Sequence, residues 1–255
     1  MVIGHADLFA IPDHFPAIVA VVALAGLIQG LAGFGSALVA VPLLAMLLPV
    51  EIVVPLMVLM GVAVSLLNLL HLHHAARFEP LVPLLAGYLV GTPLGLLLLT
   101  RAPEHVLLGL LGALIAGYAS LSLAGRRTDY RWLREQRVAI GTLSGALGAA
   151  FGINGPPVIL HVSAHPEWGA DGQKAALTLF FIAAGMLTSV ALGLGGLMTA
   201  PVLGLLLLCL PPLLLSSLAG AWLYRRLGEH DYRRLVFLMV LATGVVLLAR
   251  AVGWR

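Results

Sequence analysis

Residues 149–161 read AAFGINGPPVILH. Two glycines, an asparagine and a Pro-Pro pair interrupt an apolar run here, and no Asp, Glu, Lys or Arg occurs between Val138 and Pro166. A water-exposed turn ordinarily carries at least one. The apolar pieces on either side, 138–152 and 156–165, would extend roughly 22 and 15 Å, each short of the ~30 Å hydrocarbon core of a bilayer. The break therefore belongs inside a membrane. Unwound backbone at that depth is tolerated only where protein buries it or a wet cavity meets it, because unpaired amides in lipid are costly. The stretch marks a site.

The rest of the chain supplies the membrane context. Of 255 residues, 61% are hydrophobic and only 10% charged, and the mean hydropathy of +1.06 excludes an ordinary soluble domain. Apolar segments recur near 15–33, 36–50, 52–72, 79–100, 104–124, 138–152, 156–165, 174–195, 200–223 and 232–252. The expected fold is an all-α polytopic membrane protein, a single membrane domain over 1–255 with the lipid bilayer as its surroundings. A net charge of +3 would point to nucleic acid in a soluble protein. Here the arginines sit in short loops, where they set orientation, and nucleic acid is not an expected partner. The single Cys209 allows no intrachain disulfide. The opening MVIGHADLFAIPDHF lacks the basic start of a signal peptide, so the first apolar run is expected to be retained.

Internal similarity predicts two repeats. TRAPEHVLLGLLGALIAGY (100–118) and RRLGEHDYRRLVFLMVLAT (225–243) align at an offset of 125, pairing Arg101 with Arg226, Glu104 with Glu229 and His105 with His230; Gly95 pairs with Gly220. Near the start of each half, GLAGFG (30–35) and GALGAAFG (145–152) share Gly-x-x-Gly followed by Phe-Gly. Repeat one would cover about 15–124 and repeat two about 138–252, joined by the basic loop 125–137. Each repeat holds five helical segments and opens with a broken or re-entrant helix pair. An odd number of crossings inverts the second copy. With loop 125–137 in the cytoplasm, 11 of the 14 Lys and Arg residues fall inside and only Arg101, Arg250 and Arg255 outside. Both termini are then expected in the periplasm of a cell with an inner membrane.

The chemistry of the break is that of an anion site. Gly152 and Gly155 permit positive φ and close approach, Asn154 offers donor and acceptor, and Pro156 with Pro157 suits the first turn of a new helix. That helix turns its positive dipole end toward the break. In QGLAGFGSALVAVP (29–42), Gly30, Gly33 and Gly35 loosen the backbone likewise, and Ser36 is placed to cap the following helix. Two opposed half-helix N-termini near the midplane would hold an anion without any formal positive charge. The competing reading is that these glycines serve only close helix packing.

GLAGFGSALVAVPLL (30–44), GALGAAFGINGPPVIL (145–160) and the basic central loop resemble the TauE/SafE family of sulfite and organosulfonate exporters, over about residues 16–252. The resemblance implies a secondary transporter moving a small anion, sulfite or a short organosulfonate, out of a bacterial cytoplasm. Its pattern carries over Gly30, Gly33, Gly35 and Pro42 in the first half, and Gly145, Gly152, Gly155 and Pro157 in the second.

No expected span has an acid or a base in its interior, so a carboxylate proton relay or sodium cage is not expected. The polar candidates for the site are Gln29, Ser36, Ser144, Asn154 and His161, with Asn68 and Thr92 also within spans. His161 reads either as a donor to the anion or proton-linked switch, or as a histidine hydrogen-bonded between helices. The cluster His71, His73 and His74 reads as the hydrated end of a segment, since no carboxylate or thiolate completes a metal set beside it. No metal or cofactor is expected, and no Ser/His/Asp set, carboxylate pair or HExxH motif calls for an enzyme. A divalent-metal permease resting on those histidines, and a non-transporting membrane scaffold, are the alternatives.

Overall fold

The structure, a computed structural model, describes residues 14–32, 35–72, 79–123, 134–224, 241, 244–249 and 251. Among the described residues there are nine α-helices and no strand. They are α1 (Phe15–Ala32), α2 (Ser36–Leu44), α3 (Val50–Leu72), α4 (Val82–Arg101), α5 (Glu104–Leu123), α6 (Arg137–Phe151), α7 (Gly155–Ser163), α8 (Gly169–Leu194) and α9 (Ala200–Tyr224). Residues 244–249 are helical as well. Helix satisfies every backbone polar group within one segment, which lipid demands. Four helices, α3, α4, α8 and α9, are long and apolar enough to cross a membrane, and α1, α5 and α6 are shorter apolar helices. The chain is an all-α polytopic membrane protein.

The helices coincide with the apolar runs because local chemistry ends them. Helix α8 stops at Gly195 and Gly196, whose positive φ of 74° lets Leu197 N–H return to the Leu192 carbonyl at 2.9 Å, a Schellman closure. Helices α4 and α5 are parted at Ala102 and Pro103. Of the expected tenth segment, 232–252, only 241, 244–249 and 251 are described, and nearly all of the similar block 225–243 and most of loop 125–137 lie outside the described residues.

Helix α1 packs on α9, α4 on α6, and α3 on α8. The first two contacts bring backbone against backbone. A Cβ at Gly30 would land on the Ser217 carbonyl oxygen and one at Gly220 on that of Leu27; across the other contact, Gly91, Gly141 and Gly145 meet the carbonyls of Thr142, Leu84 and Tyr88 in the same way. Lipid tails are as apolar as leucine, so close van der Waals approach, not water exclusion, holds such helices together. One apolar core joins α1, α2, α3, α5 and α9 around Val22, Val54 and Leu111; a second joins α4, α6, α7 and α8 around Leu84, Val158 and Phe180. Leu89, Val90, Val190 and Leu215 are exposed on the outer faces, where the bilayer is the solvent.

Candidate functional site

Both sequence breaks become N-termini of nine-residue helices. At the second, Gly152 closes α6 in the left-handed conformation with φ 69°, its N–H on the Gly148 carbonyl, and Asn154 is the N-cap of α7. At the first, Gly35 takes φ 95° as the N-cap of α2. A side chain is strained at such φ, which accounts for glycine at both places. The capping role expected of Ser36 is corrected here. Ser36 is the first helical residue, and the Gln29 Oε1 atom accepts its N–H at 3.2 Å. The cap thus comes from α1, seven residues earlier.

The two breaks meet at a cavity of about 70 Å³. Its wall is formed by Gln29 of α1, the start of α2 from Gly35 to Leu38, the second break from Gly152 to Pro156, and side chains of α3 and α8. Of the residues expected at the site, Gln29, Gly35, Ser36, Gly152, Asn154, Gly155 and Pro156 come together on this wall. Gly30 lies in the α1–α9 contact instead. Pro157 is buried beside the wall without lining it, and Gly33 lies outside the described residues. Ser144 stands behind the break, its hydroxyl donating to the Asn154 carbonyl at 2.5 Å.

His161 is buried but faces away from the cavity lining, toward the far end of α7. Its ring lies 4.8 Å from that of His165, which stacks on Trp168 at 4.5 Å. There Arg134 donates from Nε to the carbonyl of Ala164, the C-cap of α7, and from its terminal nitrogen to Glu167 at 2.8 Å. A cation so placed complements the negative end of the helix dipole. The Glu167 carboxyl is held below the usual carboxylate range by its own backbone N–H first, then by Arg134 and His165.

Several contributors carry no obvious mark in the sequence. Met57, Gly61 and Ser65 of α3, with Phe181 and Gly185 of α8, recur at four-residue spacing on the wall. Behind it, the Tyr88 hydroxyl lies 2.6 Å from Thr188 Oγ1, and a Cβ on Gly148 would meet both that hydroxyl and Asn154 Cβ. Polar groups inside apolar spans were the available signal, and neither Tyr88 nor Thr188 stands in a motif. Among the described residues no group of three His, Cys, Asp or Glu could hold a metal ion. The side chains of His71, His73 and His74 are outside the described residues.

Apolar spans interrupted around a cavity where Gln29, Ser36, Ser65 and Asn154 stand among apolar residues fit a multi-pass membrane transporter. The model of the family sulfite exporter TauE/SafE matches residues 18–247, nearly the whole chain, and the chain belongs to that family. No curated protein and no solved structure matches it.

Proposed function

We propose that this chain is a secondary transporter exporting a small sulfur-containing anion, sulfite or a short organosulfonate, across the bacterial inner membrane by alternating access. The observation that carries the reading is the cavity at which the N-termini of α2 and α7 meet, with no ionisable side chain among its lining residues. The first N–H groups of a helix have no intrahelical acceptor, and their dipoles sum to a partial positive charge. Pro156 and Pro157 carry no N–H, so α7 offers Gly155 N–H and the Asn154 amide, while α2 offers Ala37 and Leu38 N–H beyond the one taken by Gln29. Many weak donors around several oxygens suit a compact oxyanion. At roughly 10–15 Å³ per water, a 70 Å³ cavity holds one such ion with a few waters.

Inverted repeats supply the alternation. The packing comes in matched pairs: α1 on α9 answers α6 on α4, α3 on α9 answers α8 on α4, and α3 faces α8. Met57 and Gly61 line the cavity with Phe181 and Gly185, each pair 124 positions apart. A scaffold has no use for such a cavity. Amides, the hydroxyls of Ser36 and Ser65, and backbone make a binding wall; a catalytic wall would need an acid–base pair.

Purified protein is tested by calorimetry or thermal shift against sulfite, taurine, isethionate, sulfoacetate, sulfate, acetate, zinc and nickel, followed by flux in liposomes. Binding and flux of a sulfur oxyanion without a metal response are expected. Stabilisation by zinc or nickel alone, abolished by changing His71, His73 and His74, would replace this reading with a metal permease; binding without flux would leave a scaffold.

A further inference from the structure

Tyr88 is fully buried on α4, outside the cavity wall. Its hydroxyl nevertheless lies 2.6 Å from Thr188 Oγ1 of α8 and borders the side chain of Asn154 at the tip of the break, the hydroxyl and that side chain both lying beside Gly148. Gly148 of α6 makes this approach possible, since a Cβ there would land on the Tyr88 hydroxyl and come within 3.1 Å of Asn154 Cβ. One turn earlier, Ser144 holds the Asn154 carbonyl. Helices α4 and α6 thus close around the half-buried Asn154.

An asparagine amide is nearly symmetric in shape and opposite in chemistry at its two ends: the NH2 donates twice, and Oδ1 only accepts. An anion needs the NH2. A helical threonine commonly gives its own proton to the carbonyl one turn back, as Thr92 does to the Tyr88 carbonyl at 2.8 Å. Either hydroxyl of the Tyr88–Thr188 pair can donate; in the arrangement inferred below, Tyr88 gives its single proton to Thr188 Oγ1. The lone pairs then left on Tyr88 Oη would take one Asn154 Nδ2–H, leaving the second Nδ2–H for the cavity that Asn154 lines.

We propose that Tyr88, itself oriented by Thr188, sets the amide of Asn154 so that its donor end meets the bound anion. Tyr88 is a positioning residue, and this inference rests on the anion reading above. Tyr88→Phe should lower sulfite affinity by about tenfold, the order of one hydrogen bond to a charged group. Thr188→Val should share the loss, and Thr188→Ser should restore it.

The test has two arms. In calorimetry, Tyr88→Phe should cost affinity in the wild-type background and nothing further in an Asn154→Ala background. For the ligand-free arm, Asn68 and Asn154 are the only asparagines, so selective nitrogen-15 labelling yields two side-chain NH2 groups. Tyr88→Phe should move the Asn154 pair and leave the Asn68 pair in place. Unchanged sulfite affinity, an equal loss in the Asn154→Ala background, or an unmoved Asn154 signal would overturn the positioning role. If the wild type binds none of the anions, the transport reading falls separately, and the amide signal alone then decides whether Tyr88 orients Asn154.

Discussion

A missing side chain at Gly61 leaves room in the cavity, whereas at Gly30 it leaves room for another helix. A Cβ on Gly61 would meet nothing within 4 Å, and the residue lines the cavity. Gly61→Ala is expected to insert and fold normally, since alanine is favoured over glycine by up to about 1 kcal/mol within a helix. It takes a methyl group's volume from a 70 Å³ space. Sulfite affinity should stay within about threefold while that for sulfoacetate drops by roughly tenfold or more, the usual scale of one methylene in a tight pocket. Equal effects on both, measured by calorimetry, would show that Gly61 does not limit ligand size. Asn154→Asp puts a negative charge on the wall. At about 5 Å and an effective dielectric of 20, the repulsion is roughly 3 kcal/mol, on the order of a hundredfold in affinity. Unaltered sulfite binding by this variant would remove the anion from the break.

Among the elements, the α4–α6 pair is the tightest joint. Gly141→Ala drives a methyl group into the Leu84 carbonyl, and backbone on both sides cannot yield as a side-chain tip would. Overpacking of this kind costs about 1–3 kcal/mol and should fall at the upper end. Gly117→Ala on α5, whose Cβ would meet nothing within 4 Å, is the control. Unfolding in detergent should separate the two variants clearly, and equal stabilities would show that α4 and α6 do not approach so closely. At the far end of α7, the Arg134–Glu167 bridge is solvent-exposed and contributes little stability. Because the folded Glu167 pKa is lowered, its contribution is complete above the ordinary carboxylate range and is lost as pH falls through the lower folded value. Glu167→Gln should remove that acid-limb dependence and leave stability near neutrality almost unchanged, as followed by thermal unfolding against pH.

Over the whole molecule, the halves of the chain are interleaved. Helix α4 from the first half packs on α6, and α9 from the second packs on α1, so neither half completes its packing alone. The inverted repeat proposed above would let a site between the halves open alternately to each side. Orientation tests it. In a Cys209→Ala background, which removes a buried thiol, Asp129→Cys and Gly228→Cys should resist impermeant thiol reagents in intact cells. Met198→Cys and Asp7→Cys should react. Labelling at position 129 from outside would overturn the orientation and the inverted repeat together.

Helix positions and the two breaks were legible in the sequence because their causes are local. Apolar length sets a span, and glycine and proline chemistry ends it within a few residues. Whether a given glycine serves packing or the cavity is not local. Gly30 and Gly35 belong to one motif, five residues apart, yet Gly30 lies on the α9 backbone while Gly35 turns the chain in the left-handed region. Ser36 carries the residue type of a cap, but the Gln29 amide reaches its N–H first. Tyr88 and Thr188 are 100 positions apart and find each other only when α4 and α8 are packed. Rotation of each helix about its axis and the neighbour it meets decide these roles, and both are settled by close packing between distant segments, which residue type and spacing along the chain do not encode.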